Sequence, residues 1–310
     1  MSEKSEITLI AVQKEFCRFL MYTKGYPKST CLGYNSDLNV LRRWLDEAGI
    51  DWRELTPEQV EQFVAYYMRK GMHPNTVARK ISTYATFYKW ARRNKHLSHD
   101  PICDIDKPKR PIRIPIYMEK EEQALLKSAF EDRSDIKENV FGMSKEFSNG
   151  VRDRYEMLFT LIQNSGLRVS EARMLKVSDI RVSDGVAKSV RVVGKGNKER
   201  LVPLPSAFGV RLAGFVAKKK KDHYVFEKKE GDQPPHAVTV RKYLEAIVDK
   251  AGIEKHITPH KLRHTYATRL IEKDVRLLDV QALLGHSSIA TTQLYTHVGQ
   301  EHLVNVVESL

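Results

Sequence analysis

No apolar run in the sequence approaches the ~20 residues needed to cross a bilayer. The opening segment, MSEKSEITLI, lacks a basic start followed by an apolar stretch, so no secretory signal is expected. Cysteine is scarce. Cys17, Cys31 and Cys103 are an odd number with no C-x-x-C pair, which excludes a disulfide framework and fits reduced thiols in the cytoplasm. The phosphate loop G-x-x-x-x-G-K-[ST] is missing, as are the zinc motif H-E-x-x-H and any internal repeat. Acid is also in deficit: 39 Asp and Glu face 52 Lys and Arg, a formal net charge of +13. A surplus of that size favours a polyanionic partner through attraction and counterion release. Charge alone leaves nucleic acid, an anionic membrane and the ribosome open. The surplus is spread, with 17 basic and 13 acidic residues in 1–107, so both parts of the chain can face the same anion.

What is present is ordinary for a globular chain of 310 residues, with 41% hydrophobic and 29% charged residues. That length suggests two domains. Helical periodicity dominates, so the expected class is mainly α with a small β-sheet. Four helices are predicted in the first hundred residues, at about 7–24, 30–48, from Thr56 to Gly71, and 75–94. Gly25-Tyr26-Pro27 breaks the first, and Thr56-Pro57-Glu58-Gln59 opens the third as a capping box with proline at the first helical position. The fourth interleaves Arg79, Lys80, Lys89 and Arg92 with Tyr84, Phe87, Tyr88 and Trp90. That pattern suits either an amphipathic helix with a solvated basic face or a face laid against DNA phosphates.

Prolines 101, 108, 111 and 115 prevent a regular helix across 100–116 and mark a linker whose Lys109 and Arg110 can follow a DNA backbone. Domain bounds are expected at 1–107 and 117–310, with 108–116 between them. Helices are predicted at 119–130, 151–164, 238–251, 260–272, 275–284, 287–295 and 299–309, with a polar loop over 131–150. Two β-rich runs, SVRVV and ERLVPLP, flank the glycine-containing turn GKGNK and predict a hairpin.

Four segments concentrate phosphate-binding and proton-transfer groups. In Gly166-Leu167-Arg168-Val169-Ser170-Glu171, Arg168 stands between two helices, and a glutamate three residues on can hold its guanidinium. In Gly194-Lys195-Gly196-Asn197-Lys198-Glu199-Arg200, a turn can present Lys195 to a leaving oxygen. In His260-Lys261-Leu262-Arg263-His264, His260 and Arg263 share a helix face and can engage one phosphate. His260 and His264 also have the spacing of helical zinc ligands, but no glutamate lies between them and Arg263 does. In Gly285-His286-Ser287, extended to Tyr295, a histidine follows a helix-breaking glycine and a tyrosine lies nine residues on.

Taken together and in this order, these segments resemble the tyrosine recombinase (phage integrase) family. The closest likeness is to its Xer-type group, through GLRVSEA, GKGNKERLVPLP, HKLRHTYAT and LLGHSSIATTQLYTHV. The resemblance implies an N-terminal four-helix, SAM-like core-binding domain and an α+β catalytic domain that together clamp DNA as a C shape. It implies Tyr295 as the nucleophile that forms a 3′-phosphotyrosyl link. Arg168, Arg263 and His286 would hold the phosphate oxygens, His260 would assist the tyrosine's proton, Lys195 would protonate the leaving 5′-oxygen, and Glu171 would orient the group. No metal, nucleotide or other cofactor is required, because the link conserves the energy of the broken bond. The implied partners are double-stranded DNA core sites and a homotetramer, or a heterotetramer with a related recombinase. The segment Glu301–Leu310 is expected to dock on a neighbouring protomer or on its own domain. With helix one starting near residue 7, no arm-binding domain is expected. The 131–150 stretch is longer than a minimal Xer protein needs, so a mobile-element recombinase stays open beside chromosome dimer resolution. A relaxing topoisomerase or a catalytically silent DNA-binding protein are further alternatives.

Overall fold

The structure, a computed structural model, describes residues 8–108, 116–132, 149–194, 199–228, 231 and 233–285. The chain divides into two compact units, Met1–Arg113 and Ile114–Leu310.

The first unit is helical. It contains α1 (Leu9–Arg18), α2 (Lys28–Ala48), α3 (Pro57–Arg69) and α4 (Pro74–Arg93). The first predicted helix is not α throughout: at Phe19–Thr23 it widens into a π turn, leaving Leu20 buried and Tyr22 80% exposed. At α3 both halves of the capping box form, Gln59 N–H donating to Thr56 Oγ1 at 3.3 Å and Thr56 N–H to Gln59 Oε1 at 3.0 Å. The core is aromatic: Phe16, Trp44, Trp52, Phe63, Tyr84, Phe87, Tyr88 and Trp90 are all buried. Ile102 is buried in the same core with Ile105 against it, so the chain leaves this unit later than a linker starting at residue 100 implies.

The second unit opens with α5 (Lys120–Glu131), α6 (Asn149–Ser165) and the short α7 (Val169–Arg173). An antiparallel sheet of β1 (Ile180–Ser183), β2 (Val186–Val193) and β3 (Glu199–Pro203) follows, in that order. Then come α8 (Ser206–Val216), α9 (Ala237–Lys250), α10 (Pro259–Ile271) and α11 (Leu277–Leu284). The β2–β3 hairpin agrees with the sequence reading, and Val193 pairs with Glu199 at its turn end. Strand β1 and helix α8 are additions to it. β1 joins β2 through Asp184-Gly185, both at positive φ, the two-residue hairpin turn that twists strands the right way.

The core of this unit packs α6, α9 and the sheet around Phe159, Ile162, Val190, Val202, Tyr243 and Leu244. Tyr155 and Tyr243 stack with centroids 4.2 Å apart. A smaller cluster of Ala267, Val280 and Leu284 fastens α11 to α10. The predicted helices at 287–295 and 299–309, the docking segment Glu301–Leu310 and most of the 131–150 loop lie outside the described residues.

Candidate active site

Helix α6 ends at Gly166, whose φ is +63°. A Cβ there would run into Tyr266 Cδ1 and lie 2.7 Å from Leu284 Cδ2, so glycine at this positive φ lets α6 stop against α10 and α11. Two residues later Arg168 is the N-cap of α7 in extended conformation. Its backbone N–H donates to Glu171 Oε2 at 2.8 Å, and its Nη1 to Glu171 Oε1 at 2.9 Å. A glutamate at the third helical position satisfies an orphan donor of the helix start. The same local geometry aims its second oxygen at a guanidinium.

Glu171 has a side chain only 7% exposed. Arg200, on β3, grips it with two hydrogen bonds, Nη1 to Oε1 at 3.1 Å and Nη2 to Oε2 at 3.0 Å. Arg263 Nη1 stands 3.9 Å from Oε2. Burial by itself would raise the Glu171 carboxyl. The hydrogen bonds from Arg200 and from the Arg168 backbone and side chain outweigh it and hold the carboxyl below its usual range. Three guanidiniums therefore surround one carboxylate, and the group keeps a net positive charge.

The C-terminal end of α11 anchors all three cations. Arg200 Nε donates to Leu283 O at 3.2 Å, Arg263 Nη2 to Leu284 O at 2.7 Å and Arg168 Nη2 to Gly285 O at 3.1 Å. The last carbonyls of a helix lack partners within it and carry its negative dipole end, so they suit cations. Gly285 closes the helix at φ +64°, and a Cβ on it would lie 3.0 Å from the Arg200 guanidinium. Arg263 also donates from Nη1 to Gly166 O at 2.7 Å, which binds the end of α6 to the end of α11. The Arg263 side chain is 5% exposed and that of Arg168 34%, so Arg168 keeps an edge toward solvent.

Thr258 caps α10, its Oγ1 accepting from Lys261 N–H at 3.4 Å, with Pro259 first in the helix. This places exposed His260 in the first turn, with Arg263 one turn further. Partial desolvation, then the charges of Arg263, Arg168 and Arg241, push the His260 imidazole below its ordinary pKa. Desolvation first, then His260, Arg263 and Lys261, take His264 down to about 4. Both rings are therefore neutral near pH 7.

Arg168, Glu171, His260 and Arg263 thus come together at the start of α7, the start of α10 and the end of α11. Lys195, His286 and Tyr295 lie outside the described residues. The turn segment that carries Lys195 ends on Arg200, but its pattern gives that arginine no role. The available signal was strand alternation, since Arg200 shares a β3 face with buried Val202 and a charged residue there needs a partner inside.

In the first unit the proposed DNA-facing residues part company. Lys80 does not belong to an exposed basic face. It is buried, its Nζ 2.9 Å from Asp37 Oδ1, because Asp37 sits 1% exposed between α2 and α4 and needs a counter-charge. Thr83 donates to the same carboxylate at 3.0 Å. Arg79 also binds Asp37, but its side chain is 55% exposed. Lys89 and Arg92 are exposed. The spacing held the signal: Lys80 is three residues after Val77 and four before Tyr84, both wholly buried. Lys109 and Arg110 lie outside the described residues.

The fold and this cationic cluster define a class that comparison with known proteins identifies. Residues 134–302 match the phage integrase family, and residues 14–95 match the phage integrase N-terminal SAM-like domain. The chain belongs to the phage integrase family of site-specific tyrosine recombinases. It is 32% identical over 301 residues to tyrosine recombinase XerC of Listeria innocua serovar 6a, with 94% of each chain covered. To tyrosine recombinase XerD of the same organism it is 31% identical over 306 residues, covering 94% of this chain and 95% of the other. Its fold is similar to that of XerH site-specific recombinase bound to palindromic difH substrate in a post-cleavage complex. There the TM-score is 0.73 at 21% identity, covering 95% of this chain and 83% of that one. Among the described residues, no helix is long and apolar enough to cross a membrane.

Proposed function

We propose that this recombinase acts in the cytoplasm on double-stranded DNA core sites, with Tyr295 as nucleophile. The phenolic oxygen attacks the scissile phosphorus and forms a 3′-phosphotyrosyl bond as the bond from phosphorus to the 5′-oxygen breaks. His260, neutral near pH 7, helps remove the phenol's proton, and Lys195 supplies a proton to the departing 5′-oxygen. Arg168, Arg263 and His286 neutralise the charge that grows on the nonbridging oxygens, at roughly 3–4 kcal/mol per fixed donor. Glu171 holds the arginines in register. Attack by a 5′-hydroxyl reverses the sequence and reseals the strand without an external energy source.

The observation that supports this reading most directly is the pairing of Arg168 and Arg263 through opposite oxygens of Glu171, with both guanidiniums bound to the end of α11. Preorganised cations of this kind stabilise charge that develops only in the transition state.

Assembly is taken to be a tetramer on two sites, either of one chain or with a related recombinase, since both XerC and XerD are relatives. The biological role is Xer-like, resolving DNA dimers or a related rearrangement, with movement of a mobile element as the alternative. Capture of covalent complexes on genomic DNA, followed by sequencing of the attached ends, separates these two. Tyr295→Phe should abolish the covalent adduct while DNA binding persists. An adduct formed by that variant removes Tyr295 as nucleophile. A two-site recombination assay beside a supercoil-relaxation assay distinguishes recombination from simple relaxation.

A further inference from the structure

We propose that Arg200 is a positioning residue for strand cleavage, fixing both anchors that orient Arg168. One anchor is the Glu171 carboxylate, which Arg200 binds through two nitrogens at 3.1 and 3.0 Å while Arg168 Nη1 binds it at 2.9 Å. The other is the end of α11, where Arg200 Nε binds Leu283 O at 3.2 Å and Arg168 Nη2 binds Gly285 O at 3.1 Å. Arg200 is the more enclosed of the two, at 14% exposure against 34%. It is the frame, and Arg168 is the group with an open edge.

The shape of Arg200 suits this task. Its planar fork offers two parallel donors to the carboxylate and a third, Nε–H, from its flank to the carbonyl. A lysine gathers its three donors on a single nitrogen and cannot reproduce the two parallel bonds to the carboxylate together with the bond to the carbonyl. Gly285 leaves the room the fork requires, because any Cβ there would press on the guanidinium at 3.0 Å. Without Arg200, Glu171 loses two of its hydrogen bonds and the end of α11 loses one, so both contacts of Arg168 are free to shift. A displacement of ~1 Å at a reacting group costs about 100-fold in rate.

This rests on the assignment of Arg168 to the phosphate, so the experiment contains a control for it. Single-turnover cleavage of a nicked substrate is measured at saturating DNA for Arg200→Ala, Arg168→Ala and the double variant, with DNA affinity and thermal unfolding alongside. Arg200→Ala should cleave about 100-fold more slowly with DNA affinity unchanged. The double variant should be no slower than Arg168→Ala, because the two losses act through one group. Wild-type cleavage by Arg200→Ala overturns the proposal, and so does a full second loss when Arg200→Ala is added to Arg168→Ala. If Arg168→Ala itself cleaves normally, the assignment of Arg168 fails separately. Should Arg200→Ala not fold, Arg200→Lys carries the same comparison. It keeps the charge but loses the fork, and should show the same slow cleavage and the same non-additivity with Arg168→Ala.

Discussion

The Lys80 ammonium lies 2.9 Å from the Asp37 carboxylate, with the two side chains only 6% and 1% exposed. A pair this deep is strongly destabilising to break from one side, because the remaining charge is stranded. Arg79 and Thr83 still bind Asp37, so Lys80→Ala should cost about 2–3 kcal/mol rather than the full penalty. Its thermal midpoint should fall by several degrees with the salt dependence of DNA binding unchanged. Exposed Lys89 should behave in the opposite way: Lys89→Ala should leave stability unaltered and reduce the slope of log affinity against log salt by about 1 if that face meets phosphates. Equal salt slopes for wild type and Lys89→Ala would remove this helix face from the DNA contact.

Gly285→Ala adds one methyl at φ +64° and 3.0 Å from the Arg200 guanidinium. The backbone penalty is about 1 kcal/mol or more, and the guanidinium must also give way. Cleavage rate should therefore fall further than global stability does. Comparing the ratio of cleavage rates with the shift in denaturant midpoint checks this. A variant that loses stability but cleaves at full rate when folded would show that the end of α11 tolerates displacement.

His260 has a pKa below the ordinary imidazole value, so it is neutral at pH 7 and able to accept a proton. Acidification protonates it only after pH has dropped below about 6.5, and the cleavage rate should decline on that acid side. Arg241 is one of the positive neighbours that depress it. Arg241→Gln should raise the His260 pKa and move the acid limb of the pH–rate profile to higher pH, leaving the plateau rate intact. An unmoved limb would mean that another group controls it.

Glu171 has the opposite linkage. Its carboxyl titrates below the unfolded value of about 4.3, so its ion pairs contribute stability above that pH and lose it as pH falls through the folded value. Glu171→Gln should be destabilised at pH 7, by roughly 3 kcal/mol for a buried pair broken from one side. The difference from wild type should narrow steadily on acidification below pH ~4. Thermal unfolding across pH for the two proteins measures this directly.

Much of the fold was legible because its signals are local. Thr56 and Gln59 cap α3 with their own side chains, and Pro57, Pro74 and Pro259 stand first in their helices. The motifs around Arg168 and His260 were equally readable, since each helix start holds its residues within one turn. Three things were not. The Asp184-Gly185 turn is a strong hairpin signal, yet β1 is only four residues long and too short to show alternation. Lys80 looked like part of a basic stripe, because its partner Asp37 is 43 residues away and pairs with it only after α2 and α4 pack. Arg200 was hidden for the same reason: its bonds reach 29 residues back to Glu171 and 83 forward to Leu283.

Three consecutive carbonyls at the end of α11 receive arginines from the start of α7, from β3 and from α10. The longest of these links spans 117 residues. No stretch shorter than residues 168–285 holds all three links, so the arrangement needs α7, β3, α10 and α11 together. Loosening the end of α11 therefore takes an anchor from all three arginines at once. A copy in which this end has come away carries three dispersed arginines that no longer converge on one point.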